Sequence, residues 1–146
     1  MTLITTLGKI LTKIRNLDLK RNIMNYNIKL IPYDLYLLIK IEGTWPRNDA
    51  ERIIDEIKNS YVKHGKKFLL IDIREMTSDE SIIGDYKEAE MFFKKEFWKV
   101  TKIAVLDNIS RRTANEFFET TAFNRGLRFK FFYNDEKDSI EWLTKL

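Results

Sequence analysis

Apolar and polar residues alternate singly in two stretches of this chain. Leu35, Leu37, Ile39 and Ile41 share one side of a strand whose other side carries Tyr36 and Lys40. Leu127, Phe129, Phe131 and Tyr133 stand against Arg128 and Lys130 in the same way. A period of two means a strand with one dry face and one wetter face. That is informative in an α/β protein, because a sheet covered by helices on both sides tends to be apolar throughout.

The remaining pattern is a succession of short β-forming runs and helix-spaced stretches. Residues 26–31 read as a first strand, Pro32-Tyr33-Asp34 as a tight turn and 35–42 as a second strand, antiparallel because the connection is so short. Gly43 is expected to break it. Pro46 suits the first turn of a helix whose buried stripe is Ala50, Ile53, Ile54, Ile57 and Tyr61, closed by His64 and by Gly65 as a left-handed cap. Residues 68–73 form the third and most buried strand, followed by a loop over 74–80. A helix then carries Ile82, Tyr86, Ala89, Phe93 and Phe97, and 100–106 form a fourth strand. Ser110 is placed to cap the next helix, which buries Ala114, Phe117, Phe118 and Thr121 and stops at Gly126. Residues 127–133 are the fifth strand. Asp135 and Asp138 open a last helix anchored by Ile140, Trp142 and Leu143.

The expected architecture is α/β: a five-stranded mixed sheet in the order β-β-α-β-α-β-α-β-α, preceded by an N-terminal amphipathic helix. Helical crossovers between parallel strands are right-handed, so strands that each neighbour the last put every crossover helix on one face. The other face would carry Asn27, Lys29, Tyr36, Leu38, Lys40, Arg128, Lys130 and Phe132. It is too apolar in places to be left to water. The N-terminal helix is the nearest cover, and a second copy of the domain the next.

Charge separates residues 1–23 from the domain at 24–146. Residues 1–24 hold five basic residues and one acidic, so the net charge of +4 sits there and the remainder balances to zero. Leu3, Leu7, Ile10, Leu11 and Ile14 follow helical spacing, with Lys9, Lys13 and Lys20 largely off that stripe. Three readings fit this leader: a helix packed on the domain, a basic segment touching an anionic membrane, or a dispensable extension, since Met24 stands just before the first strand. Its threonines and lone acid also resemble an organelle transit peptide. The packed and dispensable readings fit better, because the apolar stripe has a local use. At 146 residues and 44% hydrophobic, the chain is long enough for one cored domain. It contains no cysteine, which excludes disulfides, thiolate catalysis and cysteine-held zinc or iron–sulfur sites. No run approaches bilayer length, and the cytoplasm is the expected compartment.

The strand–helix order resembles the STAS domain, the fold of sulfate transporters and anti-sigma factor antagonists. It is most similar to the small stand-alone branch typified by the stage-two sporulation antagonist. The residues that carry the likeness are Lys67-Phe-Leu-Leu-Ile-Asp-Ile73, Lys102-Ile-Ala-Val-Leu-Asp107, and Phe131-Phe-Tyr-Asn-Asp-Glu136 running into Ile140-Glu-Trp-Leu143. It spans about residues 24–146. The resemblance implies a non-enzymatic, regulatory protein-interaction domain without a cofactor, acting through a protein partner or self-association. In the family a serine opening the helix after the third strand is phosphorylated, typically within Asp-Ser-Ser-Gly. Here Ser78 and Ser81 are nearest, in Arg74-Glu-Met-Thr-Ser-Asp-Glu-Ser81, and the family motif is not reproduced. Asp79 and Glu80 would repel a phosphate, and the plainer role for either serine is a helix cap. The implied contact region is the loop through Asp85 with the turn from Asp107 to Arg111.

The sequence also offers other chemistry. Glu42, Asp72 and Asp107 each end a strand, where α/β sheets bind ligands, and three carboxylates there would suit a divalent cation. The plainer reading makes them caps of turns and helices. His64, the single histidine, sits at a helix end amid lysines and suits a dipole interaction. Phe92, Phe93, Phe97 and Trp98 motivate an alternative, a small apolar-ligand or lipid-binding domain. No nucleic acid is expected as a partner, because residues 25–146 balance in charge.

Overall fold

The computed structural model of the protein describes residues 26–44, 50–77 and 102–145. Six strands form one mixed sheet: β1 (Tyr26–Pro32), β2 (Tyr36–Thr44), β3 (Phe68–Asp72), β4 (Met76–Thr77), β5 (Lys102–Asp107) and β6 (Arg128–Tyr133). The spatial order is β1-β2-β3-β5-β6, with β4 paired to the far end of β2. β1 runs antiparallel to β2, and the other pairings are parallel. Three α-helices are described: α1 (Ala50–His64), α2 (Arg112–Asn124) and α3 (Glu136–Thr144). The leader and the expected helix around residues 82–97 lie outside the described residues.

Alternation along the strands builds two cores. On one face Leu37, Ile39, Ile41, Leu69, Ile71, Ile103 and Val105 meet Ile53, Ile54 and Ile57 of α1 and Phe118 and Ala122 of α2. Both described crossover helices therefore lie on the same side. The rings of Phe118, Phe129 and Phe131 close that core at the β6 end, with centroids 5.1–6.1 Å apart. On the opposite face Leu38, Phe68, Leu70, Ala104 and Leu106 are equally dry, beneath Leu143 with Ile140 and Trp142. The cover is α3. The face expected to await the leader or a second copy is thus occupied along its centre by the helix that follows β6. That explains why β3 and β5 are buried at every position, why β2 is buried without a break from Leu37 to Ile39, and why β6, farther out, alternates.

Lys102 sits where α3 ends. Its Nζ donates to the carbonyl oxygens of Trp142 and Lys145, and lies 4.4 Å from the Trp142 ring centroid. A cation there satisfies carbonyls that a helix end leaves without partners. Burial, then Arg128 and Lys145, pulls its pKa below the usual lysine value.

Several local expectations change. Gly43 does not end β2: at φ 113° it takes a backbone that side-chain-bearing residues avoid, and the strand continues to Thr44 to meet β4. Gly65, at φ 61°, does close α1 as a left-handed cap. The cap before α2 is Asn108, whose Oδ1 accepts from Ser110 N at 3.0 Å at the head of a 3₁₀ turn over Ile109–Arg111. Ser110 is not the cap. α2 buries Asn115, Phe118 and Ala122 and leaves Phe117 exposed. Leu35 lies in the turn before β2, also exposed.

Candidate functional site

Two aspartates end adjacent strands and organise the loops above the sheet. Asp72 closes β3 and Asp107 closes β5, and both are buried. Side chains alternate between faces, so Asp72 continues the row of Phe68 and Leu70 toward α3, while Asp107 continues that of Ile103 and Val105 toward α2. They point to opposite sides of the sheet.

Each carboxylate is engaged by an arginine close in sequence. Arg74 folds back on Asp72: its backbone N and its Nε donate to Oδ1 at 3.1 and 3.0 Å, and its Nη2 to Oδ2 at 2.8 Å. The same Nη2 is 3.6 Å from Glu136 at the head of α3. The hydrogen bond to Asp72 is the main cause of an Arg74 pKa above the ordinary guanidinium value.

Asp107 is fully enclosed. Its Oδ1 accepts from Asn108 N at 2.7 Å and Arg111 Nε at 2.7 Å, and its Oδ2 from Asn115 Nδ2 at 2.7 Å. Arg111 then reaches across to the neighbouring loop, Nη2 donating to Ile73 O at 3.0 Å and Nη1 to Met76 O at 3.2 Å. One guanidinium thereby ties the β5–α2 turn to the β3–β4 turn. Asn115 also hydrogen-bonds Tyr133, whose pKa is nonetheless raised, chiefly by burial.

Among the described residues the rim of this assembly is polar, with an apolar point at Ile109. Lys40 lies 3.4 Å from Glu75, whose hydrogen bond raises the lysine pKa, and 3.5 Å from Glu42, which also meets Lys29 at 3.4 Å. Thr77 Oγ1 donates to Gly43 O at 3.2 Å. Ile109, on the turn held by Asn108 and Arg111, is 54% exposed.

Among the residues singled out from sequence, Asp107 and Arg111 come together as an ion pair at 2.6 Å. Ser78, Ser81 and Asp85 lie outside the described residues, as do Phe92, Phe93, Phe97 and Trp98. Glu42, Asp72 and Asp107 do not converge: Glu42 is bound by two lysines and the aspartates by separate arginines. Among the described residues no three histidine or acidic side chains are grouped to hold a metal. His64 Nδ1 lies 2.8 Å from the Ser60 carbonyl, to which its N–H donates within α1. Sequence reasoning missed Arg74, Asn108 and Asn115. A partial signal was present in the strand-ending Asp107 followed closely by Asn108 and Arg111, polar groups able to meet a buried carboxylate.

Among the described residues no helix is long and apolar enough to cross a membrane. No protein-family profile and no curated protein matches the chain. Solved structures do. An anti-sigma factor antagonist from Mycobacterium paratuberculosis superposes with a TM-score of 0.56 at 13% identity, covering 82% of this chain and 95% of that one. An uncharacterized protein of the DUF3478 family with a SpoIIAA-like fold, from Shewanella loihica, gives 0.52 at 23% identity, covering 82% and 94%. At such identities the likeness speaks for architecture. With its mixed sheet and flanking helices, this chain has the STAS-like, SpoIIAA-like fold of anti-sigma factor antagonists.

Proposed function

We propose that residues 24–146 form a single regulatory domain that acts by binding a protein partner and carries no catalysis of its own. The contact surface in this reading is the loop from Met76 toward Asp85 together with the turn from Asp107 to Arg111, in the cytoplasm. One observation supports it above the rest. Arg111 spends its donors on Asp107, Ile73 O and Met76 O, so its charge fixes two adjacent loops. A turn fixed that way, presenting an exposed Ile109, loses little freedom when it docks. The buried arginine–carboxylate geometry suits a scaffold more than a reacting centre. In this reading Ser78 and Ser81 are candidate modification points, where an added phosphate would meet the neighbouring acids in the sequence.

Affinity capture from the source cell tests this. The full chain should retain a specific protein, Ile109→Asp should release it, and deletion of residues 1–23 should leave it bound. Identical retained sets for the full chain and Ile109→Asp would overturn the assignment of this surface.

A further inference from the structure

β6 is an edge strand among the described residues. Beside it, between the strand and α2, runs an open groove of about 590 Å³. Phe129 and Phe131 of the strand and Phe123 of the helix, 78% exposed, give it an apolar strip, while Arg112, Glu116 and Glu119 of α2 give it a charged border. An exposed sheet edge offers unpaired backbone groups to any extended chain that reaches it. At the centre of this edge the Phe131 amide donates to Glu119 Oε2 at 3.2 Å. A side-chain oxygen of α2 thus takes the position in which a neighbouring strand would place its carbonyl.

Charge decides what kind of strand fits. Alternation points Phe129 and Phe131 toward α2 and the exposed Arg128 and Lys130 toward the other face, where the Lys130 Nζ lies 5.2 Å from the Phe132 ring centroid, although Lys130 also borders the groove. A strand laid along β6 sets its own alternate side chains against these two rows. A second copy of β6 would set cations close to cations, which is unfavourable in a cross-strand pair. We propose that β6 receives an extended segment of a partner protein as an added strand, one that alternates apolar and acidic residues. The apolar residues enter the groove, the acids meet Arg128 and Lys130, and a backbone carbonyl displaces Glu119 from the Phe131 amide. This surface is separate from the Asp107–Arg111 turn, and the proposal rests on reading the chain as a protein-interaction domain.

The probe is a blocked hexapeptide of alternating glutamate and valine, titrated into the ¹⁵N-labelled full chain and followed by amide correlation spectra. The amides of Phe129, Phe131 and Tyr133 should shift progressively. A lysine–valine peptide, or the glutamate–valine peptide N-methylated at every second residue, should shift none of them. Glu119→Ala should tighten binding several-fold by removing the competing oxygen. The exposed double substitution Arg128→Glu, Lys130→Glu should abolish the response and transfer it to the lysine–valine peptide. Equal shifts with the methylated peptide, no shift along β6, or shifts that track protein concentration without peptide would each overturn the proposal. A silent titration beside a successful capture through the Ile109 surface would fell the edge alone and leave the interaction reading standing.

Discussion

Arg111 binds the turn after β5 to the turn after β3. Its guanidinium is almost enclosed, its ion-pair partner Asp107 is wholly so, and two further acceptors are main-chain carbonyls of the next loop. Removing one member of a buried pair leaves an uncompensated charge, which costs far more than the pair is worth when intact. Arg111→Ala should therefore lose about 3–5 kcal/mol, read from urea unfolding. Arg111→Lys should recover only a fraction, because a single ammonium cannot reach three acceptors held in a planar fork. Replacing Asp107 and Arg111 together by Asn and Met should cost less than Arg111→Ala alone, since no ionised group is then stranded.

At the scale of elements, α3 is the piece whose role was least visible. Its anchors Ile140, Trp142 and Leu143 are plain in the sequence, and so is the alternation of β2 and β6. What the alternation could not say is that the second face is dry only along its middle, where β3 and β5 are apolar at nearly every position. A strand buried on both sides is apolar throughout, so the unbroken runs of β3 and β5 are themselves the sign of a second layer, one that the alternation of β2 and β6 hides. Leu143, completely buried against that face, is the residue to test. Leu143→Ala should lower stability by about 2–5 kcal/mol, measured by chemical denaturation. The same variant should bind a dye specific for exposed apolar surface well below its unfolding midpoint. The loop chemistry was legible in part: Asp107 and Arg111 were singled out, whereas Asn115 was hidden inside a helix read as apolar on that side. The physical reason is the buried Asp107 carboxylate, which gives a polar Asn115 a partner on the core side of the helix.

For the whole molecule, the ionisable groups with displaced pKa values set an alkaline limit. Tyr36 and Tyr133 both titrate above their ordinary value of 10.0, mainly because burial disfavours the phenolate. A raised value means the folded chain holds the proton more tightly than the unfolded chain. Their contribution is complete below pH 10.0 and is lost as pH rises through the folded values. Lys102 acts in the opposite sense, since its lowered value favours the folded state only toward and above 10.5. Tyr133→Phe should flatten the decline in the urea midpoint between about pH 9 and 11, while tyrosinate absorbance shows one slow-titrating phenol fewer. An unchanged alkaline slope would assign the loss to other groups.

Because α3 lies downstream of every strand in the sheet, a ribosome delivers the sheet before the helix that roofs its second face. During that interval Leu38, Phe68, Leu70 and Leu106 face the aqueous surroundings unprotected. A chain halted at that point would show apolar surface of the kind that chaperones bind. Any frameshift or premature stop beyond Tyr133 would make that exposure permanent, yielding a chain with its strands intact and its oily underside bare.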